Sequence, residues 1–177
     1  GRRGKLVQFE STMTLTGGKA DKRYVIPPTT ETHIALLLIK HLLAQPVLKA
    51  SPDQQGFAKD LLATQGDLDS LYGRVGVTAE QLDALAIELL GSNGVVLAGG
   101  SANFDENATN LQLAAIVANT LLGAYGTSLH LDRGAIWAGS PDARRRLDRE
   151  LELISDPTVA GTWRLARLQR MFHDVPP

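Results

Sequence analysis

The sequence predicts an α/β fold: a doubly wound, mostly parallel, Rossmann-like sheet with flanking helices, followed by a helical C-terminal tail. Three observations predict it. Strand-like and helix-like segments alternate along the chain in the order that right-handed parallel crossovers require. The run Gly94 to Ala98 (Gly-Val-Val-Leu-Ala) is continuously apolar, as in a parallel strand covered on both faces. Two helices open on complete capping-box signatures, Ser51-Pro52-Asp53-Gln54 and Thr78-Ala79-Glu80-Gln81.

In chain order, Lys5 to Phe9 reads as a short strand, and Ser11 to Lys19 as a Thr- and Gly-rich loop. Arg23 to Ile26 reads as a second short strand, stopped by Pro27 and Pro28. Thr30 to Ala44 is a helix that is apolar almost all round and therefore buried. The Ser51 cap starts a helix running to about Thr64, and a short helix covers Leu68 to Tyr72. The helix after Thr78 gathers Leu82, Leu85, Ala86, Leu89 and Leu90 on one face. Asn93-Gly94 is a turn, and the strand after it ends at Gly99-Gly100. If that strand is fully buried, Leu97→Asp should unfold the chain. Asp105 caps a long helix ending near Leu122, with Gly123 and Gly126 as stop signals. Thr127 to Leu131 reads as a further short strand, a charged helix is expected over 142–154, and a last amphipathic helix over roughly 162–172. The composition shift divides the chain into a Rossmann-like domain, 1–132, and a helical tail, 133–177.

Composition narrows the function. The chain has 177 residues, 44% hydrophobic and 21% charged, with a formal net charge of -1. Such a balance gives no electrostatic bias toward nucleic acid or an anionic membrane. With no cysteine, the chain holds neither disulfides nor thiolate-bound iron–sulfur clusters. The longest apolar run, Ile34 to Leu43, is broken by Lys40 and His41 and is too short to span a bilayer. The chain starts without Met, directly in a strand-like run, and reads as a soluble piece of a longer protein.

Candidate chemistry is sparse. Glu10 and Glu31 each follow a strand-like segment, at the edge where doubly wound sheets bind ligands. Gly99-Gly100-Ser101 joins a strand to a helix, so its backbone N–H groups either hold an anion or simply turn the chain. It has no GxGxxG and no Walker lysine, and Asp105 and Glu106 stand close by. His33, His41, His130 and His173 lack metal-ligand spacing, and no Ser/His/Asp order is recognisable. Arg144, Arg145, Arg146 and Arg149 interleave with Asp148, Glu150 and Glu152, as on a solvated, ion-paired helix. Trp137 and Trp163 in the tail are anchors for a neighbouring subunit or for the domain's own core.

From Lys5 to Asp132 the chain resembles the cofactor domain of the molybdopterin oxidoreductases, the dimethyl sulfoxide reductase superfamily. That family reads Asp-Pro-Arg, three variable residues, Thr-Ala, two variable residues, Ala-Asp. Here the same length reads Glu10-Ser11-Thr12, then Thr16-Gly17, then Ala20-Asp21. The family's Pro-Gly-Thr-Asp before an apolar helix is similar to Pro28-Thr29-Thr30-Glu31 before Ile34 to Leu38. Gly76-Val77-Thr78, the helix after it, Val95 to Gly100, and the helix with Ala114, Ala118, Leu121 and Leu122 also look like the family.

The resemblance implies a large subunit holding a molybdenum or tungsten bis-pterin guanine dinucleotide, with Glu10, Thr12, Glu31, Gly99, Gly100 and Ser101 at the cofactor-binding positions. The departures point to a degenerate site. Thr12 stands where the family has arginine, which removes a fixed cation and bidentate donor. Thr29 stands where it has glycine. Some superfamily members have lost the metal and serve as structural subunits, and this chain looks closest to the metal-free large subunit of alternative complex III.

Three readings follow. One is a degenerate scaffold domain of a redox complex, without cofactor or catalysis of its own. Its partners would be the rest of the parent chain and other subunits of a membrane-associated bacterial complex, without nucleic acid and without direct membrane insertion. The second is the molybdopterin guanine dinucleotide-holding domain of an active molybdenum or tungsten oxidoreductase. The third is an unrelated nucleotide-binding Rossmann-like module.

Overall fold

A computed structural model describes residues 4–99 and 108–130, which belong to one compact unit, Gly1–His130. The fold is mixed α/β, with two parallel strands and five α-helices among the described residues. Strands β1 (Val7–Glu10) and β2 (Lys22–Val25) pair in parallel, with Val7 opposite Lys22 and Glu10 opposite Val25. The helices are α1 (Glu31–Ala44), α2 (Pro52–Ala63), α3 (Tyr72–Val75), α4 (Ala79–Gly91) and α5 (Ala108–Leu121). No helix of the described residues is long and apolar enough to cross a membrane.

The β1–β2 connection runs only from Ser11 to Asp21 and contains a single 3-10 turn, Gly17–Lys19. Parallel neighbours are ordinarily joined by a longer, helical crossover. The chain closes this short one with its own hydrogen bonds. Gly18 N–H donates to Thr14 O (2.9 Å), and the N–H groups of Asp21 and Lys22 donate to Leu6 O. The strands alternate as the pleat requires. Val7 and Phe9 pack on the helices, and Tyr24 stacks on Phe9 with ring centroids 4.8 Å apart. Gln8, Glu10, Arg23 and Val25 alternate to the other side, and Val25 is 61% exposed.

α1 is the central helix, as its near-uniform apolarity predicts. Ile34 to Ile39 and Leu42 are buried, and α5, α4 and α2 pack around it. One apolar cluster joins Leu38, Ile39 and Leu42 of α1 to Leu62, Ala86, Leu111, Ala118 and Leu121. A second joins Ile26, Ile34 and Leu37 to Val75, Val77 and Leu82.

Both capping boxes form. Ser51 Oγ accepts from Gln54 N–H while Gln54 Oε1 accepts from Ser51 N–H, and Thr78 and Gln81 repeat the exchange. The predicted stops also hold. Asn93 takes φ +51° after α4, and the Gly94 N–H reaches back to Leu89 O at 2.9 Å. Gly123 takes φ +64° after α5, and the Ala124 N–H reaches Asn119 O at 2.9 Å. Both are Schellman closures. The short helix expected over Leu68 to Tyr72 is instead a 3-10 turn, Asp69–Leu71, continued by α3.

Two strand expectations are corrected. Gly94 to Ala98 forms no ladder among the described residues, and Leu97 is 83% exposed. The segment is paired to a side chain: Val96 N–H donates to Asn119 Oδ1 (2.8 Å), and Asn119 Nδ2 donates to Val96 O (2.7 Å). The buried Asn119 amide therefore does for this segment what a neighbouring strand would do. Thr127 to His130 likewise forms no strand; Tyr125 and Leu129 share an isolated bridge inside a turn. Asp105, Leu131 and the expected tail helices lie outside the described residues.

Thr29 takes φ +66°, a left-handed conformation rare for a β-branched residue. Its side chain is exposed, so no packing rewards it. Left-handed backbone costs an ordinary residue roughly 1–2 kcal/mol, partly offset by the larger unfolded-state entropy of glycine. Thr29→Gly is expected to stabilise the fold by about 1 kcal/mol, raising Tm by about 3 °C. A thermal melt of the two proteins checks it, and an unchanged or lowered Tm would count against strain at this turn.

Candidate functional site

Three of the six predicted site residues lie at or after the ends of β1 and β2, which run the same way. Glu10 closes β1, Thr12 lies in the loop after it, and Glu31 opens α1 shortly after β2. Thr12 and Gly99 are exposed and Glu31 is half-buried. Gly99 follows Ala98, whose O accepts from Gln112 Nε2 (3.2 Å). Gly100 and Ser101 lie outside the described residues.

Glu10 is buried, at 7% exposure, and its carboxylate is held by Thr14 of the following loop and by Arg23 of β2. Oε2 accepts from Thr14 Oγ1 at 2.7 Å, and both oxygens receive the Thr14 N–H at 3.3–3.4 Å. Oε1 accepts from Arg23 Nε at 2.5 Å. Thr14 Oγ1 in turn accepts from Gly17 N–H (3.0 Å), and a Cβ on Gly17 would overlap the Glu10 carboxylate. The Thr14 hydrogen bond, followed by Arg23, holds the Glu10 carboxyl below the ordinary carboxylate range against the opposing effect of burial. The group is an ionised acceptor whose partners are all internal.

Glu31 stands in the first turn of α1, where the helix dipole favours a carboxylate. The cap residue before it, Thr30, turns its hydroxyl to Pro27 O (2.6 Å) rather than to the helix N–H groups. Between α1, α2 and α5, a cleft of about 90 Å³ is lined by Thr32, Leu36, Leu61, Gln65, Asn110, Leu113 and Ala114. Ligand pockets commonly run to several hundred Å³. This cleft admits a few atoms, not a nucleotide.

A second polar constellation lies where α1 ends against α3 and α4, and sequence reasoning missed it. His41 Nε2 and the Tyr72 hydroxyl are 2.7 Å apart, and His41 Nδ1 lies 3.4 Å from Asp83 Oδ1. Gln45 Nε2 also donates to Asp83 Oδ1 (2.7 Å), and Lys40 pairs with Asp69 across the same corner. Burial pushes the Tyr72 phenol up. The order Asp–His–Tyr has the form of a proton relay, but no described cleft opens on it, and what it does is tie three helices together. No sequence signal marks it, since His41, Tyr72 and Asp83 are far apart in the chain. Among the described residues no group of His, Asp and Glu is arranged to hold a metal ion.

No protein-family model, no curated protein and no solved structure matches the chain.

Proposed function

We propose that the chain is a degenerate cofactor-domain piece of a molybdopterin-oxidoreductase-type large subunit, acting as a scaffold in a redox complex and catalysing nothing itself. One observation carries the choice of scaffold over cofactor holder. Glu10, the residue matching the family's first guanosine-side acid, spends both carboxylate oxygens on Thr14 and Arg23. A carboxylate that recognises a base needs lone pairs facing it, and breaking these bonds would strand a buried charge.

The neighbouring positions support the same reading. Thr12 offers no cation for a pyrophosphate. Thr29 takes a glycine-like φ of +66° where the family has glycine, which fits descent from a glycine-bearing turn followed by substitution. The described residues do not fit a bis-pterin guanine dinucleotide. In the parent protein, β1 and β2 would belong to a wider, doubly wound parallel sheet, and other subunits would meet the surfaces left open here.

Calorimetry with GMP and GDP, against AMP as control, tests this. No guanine-selective heat is expected up to millimolar ligand. Selective guanine binding that weakens in Glu31→Ala would overturn the scaffold reading in favour of a cofactor-holding domain.

A further inference from the structure

An asparagine side chain is most open to attack by its own backbone when glycine follows it, because glycine has no Cβ to keep its nitrogen away from the preceding amide. The chain has five asparagines, and Asn93 alone is followed by glycine. Asn103, Asn107, Asn110 and Asn119 precede Phe, Ala, Leu and Thr. Asn93 is exposed, so water and base reach its side chain.

The same two residues close α4. Asn93 takes the left-handed φ of +51°, and the Gly94 N–H donates to Leu89 O at 2.9 Å. Ser128 Oγ donates to Asn93 O at 2.8 Å. The carbonyl of Asn93 and the N–H of Gly94 belong to one peptide unit, so that unit is clamped at both ends. Its nitrogen is the atom that would react, and its proton is held by Leu89 rather than offered to solvent.

We propose that Asn93 is a deamidation site, held unreacted by this clamp and released when the end of α4 opens. In the open state the Gly94 nitrogen gives its proton to hydroxide and attacks Asn93 Cγ. The N–Cγ bond forms, the Cγ–Nδ2 bond breaks, and Nδ2 leaves as ammonia with a proton returned from water. Water then opens the imide ring at either carbonyl, leaving aspartate or isoaspartate. No oxidant, reductant or cofactor takes part. Isoaspartate carries the main chain through its side-chain carbon, which adds one carbon between α4 and Val95. The closure depends on fixed spacing between the Gly94 N–H and Leu89 O, and the lengthened chain does not fit it. Val96, held by Asn119 just beyond, loses its register as well. The modification therefore turns a capped helix end into an uncapped one, in one direction only.

The full chain, native and unfolded in urea, is incubated in mildly alkaline buffer and mapped by peptide mass spectrometry. Conversion at position 93 adds the mass difference between water and ammonia and yields isoaspartate. In urea, Asn93 should convert ahead of the other four asparagines. In the native chain its conversion should be slower by roughly tenfold or more, since reaction then waits for local opening. The isoaspartate form, separated by chromatography, should melt below both the parent and Asn93→Asp, which carries the same added charge on an ordinary backbone. Equal rates in the two states, another asparagine converting first in urea, or an isoaspartate form that melts together with Asn93→Asp would each overturn the proposal.

Discussion

Replacing Asn119 with Leu is expected to cost about 3 kcal/mol, among the largest losses available from one polar side chain in this fold. The amide sits at 4% exposure and binds both the N–H and the C=O of Val96. Leucine fills the volume but leaves a donor and an acceptor without partners, at roughly 1–3 kcal/mol each. Val96 is half-buried, so water relieves part of that cost. The predicted fall in Tm is about 9 °C, at roughly 2–4 °C per kcal/mol for a chain of this size. Leu97→Asp, one residue from the pinned backbone, is expected to leave Tm nearly unchanged, because its side chain is 83% exposed. Melts of the two variants separate the alternatives. A severe loss from Leu97→Asp with a mild one from Asn119→Leu would restore Gly94 to Ala98 as a buried strand.

That pair of variants marks where the sequence is legible and where it is not. The run Val95 to Ala98 has the composition of a central parallel strand, and its apolarity does track partial burial, since Val96 and Ala98 pack on the core. The partner that satisfies its backbone is a side chain on α5, and no local pattern ties position 119 to position 96. The helices were readable for the opposite reason. The Ser51 and Thr78 caps, the Asn93-Gly94 turn and the Gly123 stop are settled within a few residues by groups that local spacing brings together. Likewise the even apolarity of α1 announces burial, because a helix surrounded by α2, α4 and α5 has no solvent face to mark.

The surroundings of Glu10 were not legible. Glu10 closes β1 and Glu31 opens α1 after β2. Arg23 was read only as the start of a strand, yet at a parallel neighbour's register it faces the same side as Glu10 and neutralises it. The register depends on a crossover too short for a helix, and composition does not report that. Similarly, the left-handed φ of +66° at Thr29 has no local sequence signal, since a β-branched residue rarely takes it.

Gly17→Ala should be the most damaging single-methyl addition in the crossover. The new Cβ would overlap the Glu10 carboxylate, which would have to move away from its partners Thr14 and Arg23. Overpacking of this kind costs about 2–3 kcal/mol, and here it also breaks the bonds that close the β1–β2 connection. Glu10→Gln removes the charge while keeping the shape, so the two variants separate steric from electrostatic loss. The sign of the pH effect follows from the lowered carboxyl of Glu10. Its ionised form is favoured in the folded state, so the stabilisation is present above the unfolded carboxylate range, near pH 4, and is lost as pH falls through the lower folded value. Denaturant melts from pH 7 down to pH 2 should therefore show a shallower acid decline for Glu10→Gln than for the parent. Gly17→Ala should start lower at pH 7 and also decline less, because Glu10 is already displaced from its partners. Parallel acid limbs for all three proteins would mean that the Glu10 charge contributes nothing to the closure of the loop, and would remove the observation on which the scaffold reading rests.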